Sequence, residues 1–169
     1  MPQWGTSSET LYGILVAGLP LFMEFEADQT IYPGMVVSLL EGETEGHVMT
    51  CDEGANAVGV ADIAMATQDG NGSRRKAACD ANVSQAEDNP YVAGDQVKVI
   101  SGPIIVMLIL DASENVIVGE KLQCATTSGM VEEYACLTTS DPCALVAEAL
   151  ESVTTGVGEC AYIMAKLLI

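Results

Sequence analysis

From residue 31 to the end, apolar residues come in short runs broken by Gly, Asp, Asn and Ser. Runs of this length and spacing predict the strands of an all-β fold, a mainly antiparallel small barrel or sandwich with at most one short helix. "GMVVSLL" (34–40) is rich in branched residues, "EGETEG" reads as a turn, and "HVMTC" (47–51) as the return strand. "AVGVADIAMA" (57–66) reads as a strand in which Gly59 marks a bulge or a close backbone approach. Past residue 90, "DQVKVI", "PIIVMLIL", "NVIV", "EKLQCAT" and "MVEEYACLTT" predict further strands. "DPCALVAEALES" (141–152) opens on an Asp-Pro pair that suits a helix start, or forms a strand of small residues. "GECAYIMAKLLI" (158–169) is apolar to its last residue and predicts a docked strand.

Two segments depart from this pattern. Residues 1–30 mix Gly, Pro, Ser and Thr with isolated large apolar side chains and have no clean period. They read as an extended arm, ordered by lying on something, or as an ordinary first strand and loop. Residues 31–169 form the β-rich domain, which holds a long polar loop at 67–90. A loop of that length is usually functional, and it carries Arg74, Arg75 and Lys76.

"PIIVMLIL" (103–110) does not alternate. A sheet with one wet face should alternate, so both faces of this strand should be covered. A single domain could cover both faces with a central strand, or a partner subunit could cover one; the acidic remainder of the chain offers little such cover, which favours self-association. There is also an internal echo. "PGMVVSL", "AGDQVKV" and "VGEKLQC" each place a Gly just ahead of an apolar strand, and "GANAVGVADIA" resembles "PCALVAEALES". Gly permits the tight turn that the strand needs.

Composition narrows the function. The chain has 169 residues, enough for one domain, and 49% are apolar, so it can build a core. Its 24 acids against six bases leave a net charge of -18. That disfavours nucleic acid and anionic membrane surfaces, which need clustered cations. The apolar stretch 11–23 contains Gly and Pro and is too short to span a bilayer. Six cysteines without a CxxC pair, and His47 as the only histidine, argue against zinc. The cysteines read as buried small hydrophobes, or in part as a disulfide. A hydrolytic triad would have to use His47, so no enzyme is expected and no cofactor. "DGNGSRRKAACD" (69–80) begins like a calcium loop but has Arg74 where that loop needs Gly. Asn71 and Asn82 stand in glycosylation sequons, and Lys166 in "IMAKL" bears a loose likeness to a carrier lysine.

The ordered set "YPGMVVSL … GHVMTC … NAVGVADIA … YVAGDQVKVISGPIIVMLI … NVIVGEKLQCATTSGMVEEY … CALVAEALES … GECAYIMAKLLI" resembles the head decoration, or capsid cement, proteins of tailed viruses. The resemblance runs over 31–169 and rests on order and spacing. It implies a β-tulip-like domain, a homotrimer on the outer surface of an icosahedral capsid, and major capsid protein as partner. It implies no enzymatic activity. The function expected is clamping: a subunit that spans neighbouring capsid proteins makes many contacts fail together or not at all. Trp4, Leu11, Tyr12, Leu15, Phe22 and Phe25 are the expected arm anchors. Arg74, Arg75 and Lys76 are the expected contacts to acidic neighbours. The alternatives are a subunit of another extracellular assembly, such as a surface layer or filament, and a small carrier or ligand-binding barrel.

Overall fold

The computed structural model describes residues 14–40, 42, 46–62, 90–135 and 145–169. Among them there are strands, turns and coil, and no helix. The strands are β1 (Leu15–Ala17), β2 (Leu21–Ala27), β3 (Val36–Leu39), β4 (His47–Thr50), β5 (Ala57–Ala61) and β6 (Gln96–Ser101). They continue with β7 (Ile105–Leu110), β8 (Asn115–Val116), β9 (Lys121–Cys124), β10 (Val131–Glu133), β11 (Leu145–Ala149), β12 (Val153–Thr154) and β13 (Ala161–Leu167).

They build two small barrels. The first closes in the order β2-β4-β3-β5-β6. Strand β2 shows why it closes: Met23, Phe25 and Ala27 turn into the core beside Val97 and Val99 of β6. Phe22, Glu24 and Glu26, the alternate set, face outward with Lys98 opposite Glu24. The second ring runs β7-β10-β9-β11-β13 and returns to β7 through the β13–β7 pairing. Val106, Leu108, Leu110, Ile163 and Ala165 lie in its core. The short β1 lies along the edge of β7, with Leu15 opposite Val106.

The two barrels are copies of one design. In each, the first strand pairs in parallel with the third (β2–β4, β7–β10), and every other pair in the ring is antiparallel. Ile31–Leu39 and Val116–Cys124 match residue for residue. Gly34 donates to Ala61 O and Ala61 to Met35 O, both at 2.9 Å; Gly119 donates to Ala149 O and Ala149 to Glu120 O, both at 2.8 Å. Even the irregularity is shared. Val37 faces Gly59 and Ser38 faces Ala57, skipping Val58. Leu122 faces Ala147 and Gln123 faces Leu145, skipping Val146. The Ile31–Tyr91 bridge of the first barrel stands where the second has the β8–β12 pair.

The Gly-led strand openings are one turn that recurs six times among the described residues, at 52–55 and 127–130 as well as in the four that follow. Met35 N bonds Tyr32 O, Asp95 N bonds Val92 O, Glu120 N bonds Ile117 O, and Glu159 N bonds Gly156 O, at 2.9–3.2 Å. Gly34, Gly94, Gly119 and Gly158 hold the third position with φ of 90, 92, 92 and 72. A turn of this kind needs positive φ there, which glycine supplies without a Cβ clash. The acid that follows closes two of the turns: Asp95 Oδ2 accepts from Val92 N (2.9 Å) and Glu120 Oε2 from Ile117 N (2.7 Å).

The second barrel packs on the first through the β7–β13 face. Ile109 joins the first barrel's core, whereas Leu108 and Leu110 join the second's. "PIIVMLIL" is thus covered on both sides, as its lack of alternation requires, but the cover comes from this chain's own first barrel. The need for a sister chain at this strand, expected from the acidic remainder, falls away. The tip of the β9–β10 hairpin adds a clasp: Gly129 O accepts from Val36 N and Gly129 N donates to Cys51 O, each at 2.9 Å.

Of the expected arm, residues 14–30 carry β1 and β2 and are woven into the two sheets. Ile14 is fully buried. Alternation in "LFMEFEA" was the signal for this, and it is seven residues long. Residues 1–13 lie outside the described residues, as does the loop 67–90 apart from Pro90. The segment 141–152, open between helix and strand, forms β11 from Leu145 onward.

Candidate binding surfaces

The expected contact residues fall into three groups. Trp4, Leu11, Tyr12, Arg74, Arg75 and Lys76 lie outside the described residues. Leu15 and Phe25 are partly buried against the two core clusters, Leu15 at β7 and Phe25 inside the first barrel. They hold the chain's own fold together. Phe22 alone of the described anchors faces outward, 58% exposed. The strand period separates them: Phe22 and Phe25 differ by an odd number of positions and so point to opposite faces.

Around Phe22 the outer β2–β6 face is mixed. Lys98 Nζ stands 4.4 Å from the Phe22 ring centroid and 3.1 Å from the Asp62 carboxylate. Lys98 thus has both an aromatic face and a carboxylate of its own chain as partners. Leu19 and Leu21 extend the apolar surface at the β1–β2 connection.

Two further exposed apolar spots lie on turns of the second barrel, at opposite ends of the β8–β12 ladder. Ile117 and Val118 are 53% and 62% exposed, and Val157 is 93% exposed. The matching turn of the first barrel is not exposed. Pro33 and Gly34 are buried, Tyr162 donates its hydroxyl to Pro33 O at 3.1 Å, and Ile109 N donates to Gly34 O at 3.4 Å. Sequence reading placed no contact at Ile117, Val118 or Val157; their apolar character at turn tips was the available signal.

Chemical machinery is sparse. Among the described residues no group of three or more His, Cys, Asp or Glu is placed to hold a metal ion. Lys166 lies inside β13, opposite Glu148 and Ile105, and not in a hairpin turn. Glu148 is held below the usual carboxylate range by its hydrogen bond to Lys121, then by the charges of Lys121 and Lys166. Cys51 and Cys124 are free and buried and hydrogen-bond to each other where β4 of one barrel meets β9 of the other. That bond and burial push the Cys124 thiol up. Cys160 is disulfide-bonded.

The fold has a known counterpart. The chain superimposes on the crystal structure of the head fiber gp8.5 N base of bacteriophage phi29 with a TM-score of 0.53 at 14% identity, over 88% of this chain and 94% of that one. At that identity the likeness concerns the fold. No family model matches the sequence, and no curated protein does. No helix among the described residues is long and apolar enough to cross a membrane.

Proposed function

We propose that this protein is a structural component of a tailed-virus particle, seated on the outside of the head. There it decorates the shell and clamps neighbouring major capsid proteins as a homotrimer. The supporting observation is the shared tandem-barrel fold: nearly the whole chain matches nearly the whole base of a phage head fiber. The ordered resemblance to decoration proteins points the same way. Barrels closed on themselves offer few free strand edges, so such a protein stays soluble at the high copy number a shell demands. The net charge of -18 keeps unbound copies apart. Binding then depends on apolar anchors, of which Phe22 is exposed and Trp4, Leu11 and Tyr12 are the proposed others. Arg74, Arg75 and Lys76 are the proposed contacts to acidic capsid surface.

A second reading takes the neighbour's description further: the chain is a base that carries a fibre on the head. One experiment separates the two. Purified chain is added to heads lacking it, and the heads are pelleted and imaged. Decoration gives saturating binding at many equivalent sites. A fibre base gives few sites, and an absence of co-pelleting removes both readings.

A further inference from the structure

We infer that copies of this chain associate head to tail, the Ile117–Val118–Gly119 turn of one chain docking on the outer β2–β6 face of the next. The inference names the surfaces of the proposed self-association, but it rests on the duplicated fold and not on the capsid reading.

The chain makes this contact once within itself. The Tyr32–Pro33–Gly34 turn of the first barrel sits on the β7–β13 face of the second. The fit is close: a Cβ on Gly34 would lie 2.8 Å from a Tyr162 ring carbon and 3.3 Å from Met107 O. Each half of the contact has a counterpart in the other barrel: the counterpart turn is exposed, and the counterpart face is open at Phe22 and Glu24 and closed at Ile100, which is buried. The counterpart of the turn is Ile117–Val118–Gly119, exposed and with nothing within 4 Å of a Cβ built on Gly119. The counterpart of the β7–β13 face is β2–β6. Lys98 follows the turn glycine Gly94 as Tyr162 follows Gly158, and Phe22 precedes Gly34 as Met107 precedes Gly119. Met107 is 6% exposed beneath its turn, whereas Phe22 is 58% exposed.

A tandem repeat leaves at its two ends the interface that it satisfies in its middle, and the next copy is what fits there. Such a contact is heterologous, with different patches on the two partners, and closes into a ring where the rotation allows. The side chains also suit two separate chains. The turn carries Glu120 where the first barrel has Met35, and the face carries Lys98 where the second has Tyr162. The face also carries Glu24 where the second barrel has Ile109, and Lys98 is already paired with Asp62, so the contact between chains is more polar than the one within the chain.

Sedimentation of the full chain in the presence of screening salt tests this, with Val118→Asp and Phe22→Asp as variants. Both sites are exposed, so circular dichroism and thermal midpoint should match wild type and certify the fold. At about 0.1 mM, enough to populate a contact with a Kd of about 0.1 mM or tighter, wild type should run above monomer mass and each variant as monomer. The mixture is decisive. Val118→Asp keeps an intact face and Phe22→Asp an intact turn, so an equimolar mixture should form a dimer and no larger species. A monomeric wild type, variants that still associate, or a mixture that stays monomeric would each overturn the inference. Binding to heads is a separate measurement and can fail or succeed independently.

Discussion

Gly59 shows what one residue contributes. It sits at the shared bulge, where a Cβ would lie 2.5 Å from Val99 Cγ1 and 2.7 Å from Ile100 O. Gly59→Ala should therefore cost about 1–3 kcal/mol by overpacking, read as a lower midpoint in urea. Gly119→Ala meets open space, and only its positive φ of 92 is strained, so about 1–2 kcal/mol is expected from the left-handed backbone alone. Leu108, fully buried between β13 and the barrel core, should cost ~2–5 kcal/mol as Leu108→Ala. Cys51 and Cys124 should resist thiol reagents until the chain unfolds, since both are buried away from solvent. Rapid labelling of both in the native protein would contradict that placement. Glu148 has a depressed pKa, so the stability it adds is present at neutral pH and lost as pH falls through the folded value. Its side chain is partly exposed and its ion pair is screened by solvent, so Glu148→Gln should barely move the thermal midpoint.

At the level of strands, apolar pattern translated well into structure where local chemistry decides. β3, β4, β5, β6 and β13 lie where branched runs and turn residues put them, and the Gly59 bulge is present. The Gly-led echoes at 33, 93 and 118 are three uses of one turn, and "GANAVGVADIA" and "PCALVAEALES" hold the equivalent strands β5 and β11. What local pattern does not carry is which surface covers which. "PIIVMLIL" declared two buried faces, but not that the second cover is the same chain's other barrel. Residues 14–27 lacked a period over the whole arm because β1 and β2 belong to different barrels and break at Gly18–Pro20. Of the candidate contacts, the outward turn of Phe22 was within reach of the strand period; the exposure of Ile117 and Val118 depends on which barrel lies beyond, which no short window contains.

For the whole molecule, the barrel interface sets the behaviour. Ile109, Ala125 and Met130 come from the second barrel's strands and turns yet lie in the first barrel's core. The two barrels should therefore unfold in a single transition with matching calorimetric and van't Hoff enthalpies; two resolved transitions would show that they are independent. The strong negative charge governs encounters, so association of free copies should strengthen with salt. The central claim, a protein that braces a viral head from outside, is tested most directly by heating particles with and without this chain and following release of the packaged DNA. The account predicts release at a lower temperature from particles that lack it, restored by adding the purified chain back. The same release temperature in both would contradict it.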